Sequence, residues 1–583
     1  MREDNVTKDW LLYEAGKKYN NARNIVEQAK VNTEFYEGNQ WIGAGDTNLP
    51  KPVFNILKRV GSYFIASLTS SPIKIFLTPL QFENFDKEIA IKSGNPDLAN
   101  IVDALDISNA SISKIMERQC FQDKVRDALT RSVKTGDMVM HFKFNTNLKP
   151  YVYAPTHLYQ GDVEIEVIDG VNVFVSNPNI HDIQKQDWII VSGRDTVAHL
   201  NDERKSKASG KVQKDDDIND FIRHQDELQA DDDKTNQATY IIKYEKKLDK
   251  NGEEKVYASK STKGCVIYEN METGLSFYPI AFGNWEQISG CYHGRALCTG
   301  LISNQIFINR MWAMWQYSLQ LNAFPKAIYN ENRIAQWSSK LGTAIPVKDN
   351  GEPNFDIKNM ATFLEPPQIS TQIVQALNEC MAQTKDMLGI SDAQLGNVNP
   401  TNTSAIVAIQ KSSAVPLKNQ QANLYKFVED CALIMLDMIS NKYGVRDVAV
   451  DLKSASETDN YVAQYDFANL KDLALSLDIS IGEGNYYDEI AQVQTLDNLL
   501  QMGQITKVEY LERVPDSIIP KRQELLKQAR AEALMMMQQP TAPEVTGSQG
   551  GRIATSQTDD ALIQKMQSQD TAGMLKSMSQ MQQ

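Results

Sequence analysis

No apolar run in the chain approaches the roughly 18 residues that a membrane-spanning helix needs. The greasiest stretch, CALIMLDMI from Cys431 to Ile439, is short and carries Asp437. The N-terminal MREDNVTKDW is acidic and polar, so no signal peptide is expected. A soluble, intracellular protein that does not enter a membrane is the expectation. Cysteines are few: Cys120, Cys265, Cys291, Cys298, Cys380 and Cys431. None forms a CxxC pair and several sit in apolar patterns, which argues for buried reduced thiols and against a disulfide framework. Histidine is equally sparse. His141, His157, His181, His199, His224 and His293 never lie within three to five residues of one another, so zinc sites of the HExxH type are excluded. Clustered Lys and Arg are missing too, and the formal net charge is −14. A protein with that balance does not grip nucleic acid by its phosphates, although it can let DNA slide past.

Catalytic signatures are absent. There is no GxxxxGK[ST] loop, no GxGxxG after a strand and no GxSxG elbow. The triple aspartates Asp215–Asp217 and Asp231–Asp233 lie in the most polar segment, without the Gly and terminal Glu of a calcium loop, and read as solvated charge. DKNGE (249–253) and KDNGE (348–352) read as hairpin turns. No catalytic residue, metal site or cofactor is expected. A dispersed-carboxylate DNA enzyme such as a nuclease stays open, since such sites are assembled from distant residues.

What is present is a long mixed chain. Its 583 residues exceed one compact core, and 42% hydrophobic with 23% charged residues is ordinary for a folded protein. Residues 1–34 read as helix, interrupted at FYEGNQW. KPVFNILKRVGSYFIASL follows, with Pro52 as the expected helix start and an apolar face of Phe54, Leu57, Val60, Gly61, Phe64 and Leu68. IKIFLTP alternates like a strand, 97–136 is helical to Gly136, and 137–200 is strand-rich with a hairpin signal at Asp169-Gly170. A charged insertion at 201–236 reads as solvated, and a hairpin turning at Asn251-Gly252 follows. Residues 294–323 form a long helix with a stripe of Leu301, Gln305, Ile308, Trp312, Trp315 and Leu319; Met311, Met314 and Leu321 widen its apolar surface, so more than one neighbour is implied. A small α/β unit comes next: a strand in FPKAIYN, a short helix in NRIAQWSSKLG and a hairpin around Asn350-Gly351. A second helix covers 368–388. GISDAQLGNVNPTNTSAIVAIQK (389–411) is a polar, Asn-rich loop leading into a third helix that runs to Tyr443 and bends at Pro416. Residues 444–484 are mixed, 485–538 give two or three helices, and 539–583 form a polar tail.

Four stretches, in order, resemble tailed-bacteriophage portal proteins: FYEGNQW with the amphipathic helix ending in a Pro-Ile step, VNVFVSNPNIHDIQKQDWIIVS, YPIAFGNWEQISGCYHGRALCTGLISNQIFINRMW, and MLGISDAQLGNVNPTNTSAIVAIQK. Each is weak alone; their co-linearity over about 8–530 carries the resemblance. It implies an α+β, mostly helical, elongated subunit that assembles into a ring with a central channel, usually of twelve copies. The implied layout is a wing at 1–293, stem helices at 294–323 and 368–389, a clip at 324–367, a tunnel loop at 390–403, a long kinked wing helix with return strands at 404–484 and a helical crown at 485–538. Such a ring sits at one capsid vertex of the virion and is assembled in the host cytoplasm. The terminase motor pumps double-stranded DNA in through it, and the DNA leaves by the same route. Implied partners are further copies of the chain, major capsid and scaffolding proteins, the terminase large subunit, tail or neck adaptors and non-specifically held DNA.

On that layout Gln394, Asn397, Asn399, Thr401 and Asn402 face the channel from the tunnel loop, and Lys411 and Lys418 are candidates for the channel wall. Lys326, Arg333, Trp337, Lys340 and Lys348 are the clip residues that would dock terminase and adaptors. A non-portal ring adaptor or scaffold is the other structural alternative.

Overall fold

The computed structural model describes residues 2–45, 49–70, 73–79, 96–148, 161–204, 211–213, 236–248, 252, 254–323, 326–334, 336–338, 345–348, 361–363, 371–388, 417–451, 460–472, 475–480 and 486–514, with scattered positions between 519 and 529. It divides into two compact units, Met1–Gln492 and Val493–Gln583.

The first unit begins with α1 (Arg2–Ala22) and α2 (Ile25–Glu37). The single helix expected over 1–34 is broken at Asn24, which adopts a left-handed φ of 54°. Asparagine tolerates that conformation better than most residues. Gly38 ends α2 with φ 104°, its N–H bonded to Glu34 and Phe35 carbonyls. α3 (Ile56–Leu68) starts at Asn55 and not at Pro52, because the Asn55 side chain accepts the Lys58 N–H at 2.9 Å and caps the first turn. Leu57, Val60, Gly61, Phe64 and Leu68 are buried as the periodicity predicts. Phe54 is not: it stays 45% exposed. β1 (Lys74–Pro79) follows, then α4 (Pro96–Arg118) and α5 (Phe121–Thr135). These two replace the one helix expected over 97–136, the break falling at Cys120, φ 48°.

Two antiparallel sheets make the β-rich part. In the first, β2 (Asp137–Asn145) lies between β3 (Asp162–Val167) and β9 (Ile280–Asn284). The second is a five-stranded meander of β4 (Val173–Val175), β5 (Trp188–Thr196), β6 (Gln237–Leu248), β7 (Glu254–Thr262) and β8 (Cys265–Glu272). The hairpin expected at Asp169-Gly170 is not formed. β3 and β4 belong to different sheets, and Gly170–Asn172 makes a 3-10 turn that carries the chain from one to the other. Asp169 instead pairs with Arg131 at 3.1 Å. The β6–β7 hairpin is present as expected, with Gly252 at φ 83°. The insertion is not wholly solvated, since α6 (Val197–Glu203) and Val212 pack with Ala238, Cys265 and Ile267.

One face of the meander joins the main core through Ile189, Val191, Ile242, Tyr244, Val256 and Ala258. The other face puts Phe174, Ile190 and Ile241 under Trp10 and Tyr13 of α1. The first unit continues with α7 (Leu297–Ala323), β10 (Ala327–Tyr329), β11 (Ala361–Phe363), α8 (Thr371–Met387) and α9 (Lys418–Lys442). α9 begins two residues past Pro416, so the bend expected there lies outside the described residues. β12 (Val445–Asp451) and β13 (Asn460–Asp466) form a hairpin, and β14 (Leu475–Ser480) pairs with β1. Cys265, Cys291, Cys298 and Cys431 are buried thiols, as expected, whereas Cys380 is half-buried and Cys120 exposed.

In the second unit, α10 (Tyr486–Gln501) ends and α11 (Lys507–Arg513) begins with a capping box between Thr506 and Glu509. Tyr510 donates to Asp497 at 2.6 Å and Arg522 to the Val514 carbonyl at 2.6 Å, closing a short helical turn-back.

Candidate functional site: the α7–α8 pair and the β10–β11 unit

α7 and α8 frame the part of the chain that sequence reasoning marked for docking. The base of α7 is fixed by buried amides. Gln305 donates to the Phe54 carbonyl at 2.7 Å and accepts the Ile56 N–H at 3.0 Å; Asn309 donates to Gln40 at 2.6 Å. Asn32 bonds both the Lys134 carbonyl at 2.8 Å and Thr299 at 2.9 Å. Each satisfies a polar group that would be costly to bury alone. Just before α7, Gly136 and Gly294 meet backbone to backbone: a Cβ at Gly136 would stand 2.3 Å from the Gly294 carbonyl oxygen. That approach seats His293, whose Nδ1 bonds Asp137 at 2.6 Å and whose Nε2 bonds Asn20 at 3.2 Å. Both ring nitrogens are occupied, which leaves no free base. Sequence reading took Gln305 for part of a stripe and missed this polar clasp, because its partners lie about 250 residues upstream.

Further along, Asn304 donates to Thr384 at 3.1 Å and holds α8 beside α7. Between the two helices β10 and β11 pair antiparallel, Ala327 opposite Phe363. Trp337 stacks on Tyr329 with centroids 5.7 Å apart and meets Phe363 edge-on at 5.9 Å. Tyr329 and Phe363, on one face of the pair, are 36% and 58% exposed, so this face presents an aromatic patch to solvent, and Ile328, 52% exposed, lies on the other face. The short helix expected in NRIAQWSSKLG is not there among its described residues, 332–334 and 336–338. The segment is a turn, with Arg333 and Ile334 N–H groups on the Asn330 carbonyl and the Arg333 carbonyl accepting Lys348 N–H at 3.0 Å. An Asn330 side chain that accepts the Asn332 N–H locally competes with helix initiation.

Of the predicted docking residues, Arg333 and Lys348 are joined backbone to backbone, Trp337 packs on Tyr329 and Phe363, and Lys326 lies exposed immediately before β10. Lys340 lies outside the described residues. So do Gln394, Asn397, Asn399, Thr401, Asn402, Lys411, both aspartate triplets and the turn at Asn350-Gly351. Lys418 is exposed on the first turn of α9. Ile328, Tyr329 and Phe363 were missed; alternation in AIY and ATF is the only signal that pointed to them.

A cleft of about 750 Å³ lies between the two sheets, lined by Tyr240, Tyr244, Tyr268 and Lys260 among others. Several of its polar side chains are partnered: Lys260 with Glu203, Lys143 with Glu166 and His199 with Asp195. At its base the buried His141 bonds Tyr244 at 2.7 Å. Among the described residues no group of three or more His, Cys, Asp or Glu could hold a metal, and no helix is long and apolar enough to cross a membrane.

In the comparison with protein families, the Phage P22-like portal protein model fits residues 103–583. No curated protein matches the chain.

Proposed function

The chain belongs to the P22-like phage portal protein family, a family of structural and not enzymatic proteins, and from that premise we propose that it forms the ring at one capsid vertex through which viral double-stranded DNA is packaged and ejected. The observation that carries this reading is the run α7–β10·β11–α8 inside the matched region: two packed helices joined by a small β unit with an exposed aromatic patch. In this reading 1–293 is the wing, α7 and α8 are the stem, 324–367 is the clip, 390–403 is the tunnel loop, 404–484 is the long wing helix with its return strands, and 485–538 is the crown.

The clip patch of Tyr329, Trp337 and Phe363, with Lys326, Arg333 and Lys348 in the same unit, docks the terminase large subunit during packaging and the neck or tail adaptors afterwards. Aromatic and Arg side chains are the ones that carry binding energy at such contacts. The tunnel loop offers Gln394, Asn397, Asn399, Thr401 and Asn402 as uncharged donors and acceptors, which suit weak, sequence-independent contact with a moving duplex. The acidic balance of the chain repels phosphates elsewhere, offset locally by Lys411 and Lys418.

Negative-stain microscopy of the purified protein tests the core of this reading: a turbine-like ring with a central hole is expected, of about twelve copies. A monomer with metal-dependent nuclease turnover would refute it. Deleting Asn397–Asn402 should leave the ring intact and reduce the length or yield of packaged DNA; unchanged packaging would remove the loop's role alone.

A further inference from the structure

The cleft between the two sheets, about 750 Å³, has the volume of a small-molecule pocket. The contacts of Lys260, Lys143 and His199 with their acids, and the Tyr244–His141 bond, occupy much of its polar lining. Glu164 accepts the Asn145 amide at 3.1 Å. Three half-buried donors have no such partner. The hydroxyls of Tyr240 and Tyr268 make no hydrogen bond and stand open to the cleft. Burial pushes the pKa of both up from the usual 10, so they are neutral O–H donors. The ammonium of Lys442 touches no carboxylate, and Glu272 acts on it only from a distance.

The fold sets these donors in order. Tyr240 on β6, Lys260 on β7 and Tyr268 on β8 share one face of the meander. The Tyr240 ring lies over β5 because Gly193 stands opposite it; a Cβ there would be 2.5 Å from the hydroxyl. The Lys260 ammonium covers that ring at 4.4 Å from its centroid, so the phenol is held in place before any ligand arrives. Two residues along β7, Ala258 begins an apolar floor that includes Ile242, Leu275 and Met438. Lys442 lies one turn beyond Met438 on α9. Burial lowers the pKa of this lysine, with Glu272 opposing, because a half-buried ammonium without a counter-ion is costly. A bound carboxylate relieves that cost.

Neutral donors, an apolar floor and a cation therefore follow one another across the cleft, and they select the ligand. A cationic ligand would meet Lys442. A wholly apolar one would leave both phenols and the ammonium unsatisfied. A dicarboxylate would bring its second charge towards Asp195 and Glu203, which act on Tyr240. We propose that the cleft binds a small amphipathic monocarboxylate, with its anionic group on Lys442, its apolar body over Ile242, Ala258, Leu275 and Met438, and a neutral acceptor oxygen at the Tyr240 and Tyr268 hydroxyls. Among the described residues none of α7, β10, β11 or α8 lines the cleft, so this binding is separate from ring formation and from the clip.

Isothermal titration calorimetry of the full chain tests it. The probe is monomethyl suberate, an apolar chain with a carboxylate at one end and an ester at the other. One molecule should bind per chain. Dimethyl suberate, which lacks the charge, and the ω-amino methyl ester, which puts an ammonium in its place, should each bind at least about tenfold more weakly. Lys442→Met should weaken binding of the monomethyl ester about tenfold, and Tyr240→Phe and Tyr268→Phe about fivefold each, with circular dichroism and melting kept as in the parent chain. Equal binding of the three compounds would show a merely greasy surface and overturn the proposal. No heat from monomethyl suberate at millimolar concentration would overturn it too, as would undiminished binding by a folded Lys442→Met. If Lys442→Met does not fold, the comparison of the three compounds on the unmodified chain decides alone.

Discussion

α7 and α9 are the two longest helices of the first unit, 27 and 25 residues, and they solve opposite problems. α9 buries one face in its own chain: Leu424, Phe427, Val428, Cys431, Ile434, Met435, Met438 and Ile439 lie on one side of the helix, and all are in the core. α7 is apolar on more than one side, and Phe307, Met314, Tyr317 and Leu319 stay exposed. A helix that is apolar on more than one side needs more than one neighbour. α9 finds its cover in β2, β9 and α4; on the reading above, other copies supply what α7 lacks. On that reading an apolar helix means core in one place and assembly in the other, and the three-dimensional cover separates them.

The largest test of that contrast is Phe427→Ala. The side chain is 1% exposed and sits against β9 and Met138. Removing it should cost about 3–5 kcal/mol, the loss of transfer energy plus the cavity left behind. Urea denaturation would show it as a fall in midpoint at unchanged slope. A cost below about 1 kcal/mol would mean that α9 is not the core helix its burial makes it.

How much of this was legible beforehand divides along the same line. Elements with strong local signals were readable: the α3 face, the Asn251-Gly252 hairpin, α7 to within three residues of its start, and the buried thiols. The errors fell where a local signal competed with a longer-range one. Asp169-Gly170 has hairpin chemistry, but β3 takes β2 as its partner and β4 takes β5. Asn24 and Cys120 break helices without Gly or Pro. Asp437, the odd acid in the greasiest stretch, accepts the Ser276 and Phe277 N–H groups at 2.8 and 3.0 Å, partners that no periodicity could name. In the docking unit Trp337 was identifiable as a residue type, whereas its stacking partners depended on the pairing of strands more than 30 residues apart.

A medium effect is expected from acid, and it separates the two sheets from the helices. His141 is sealed between β2 and β6, with Tyr244 at 2.7 Å and Lys143 and Lys260 nearby. Burial first, then those two positive charges, hold its pKa well below the usual 6.5. The unfolded chain therefore binds the proton more readily, so stability is full above about pH 6.5 and falls as pH drops below it. Asp430 on α9 works in the other direction: burial, with Asp182 and Glu429 adding to it and Lys426 opposing, raises its pKa to about 6. Its carboxylate costs stability above that pH, and the cost is relieved as pH falls towards about 4. His141→Gln keeps a polar partner for Tyr244 and cannot ionise, so it should flatten the decline in Tm between pH 7 and 5. Asp430→Asn should raise Tm at pH 7 and lose that advantage by pH 4. A decline as steep in His141→Gln as in the parent chain would move the acid sensitivity elsewhere.

The smallest expected effect is the one that decides the comparison. Phe307→Ala makes on α7 the change that Phe427→Ala makes on α9, at a side chain 43% exposed in place of one 1% exposed. Measured by urea denaturation at a dilution where copies do not associate, it should shift stability by no more than about 0.5 kcal/mol, the range of a surface substitution. Measured by sedimentation at assembly concentrations, the same variant should shift the population from rings to free chains, because its lost contact lies between copies. If instead Phe307→Ala unfolds the isolated chain as Phe427→Ala does, the second half of α7 has partners within its own chain. The two helices then solve the same problem, and the flanks of α7 no longer argue for a neighbour.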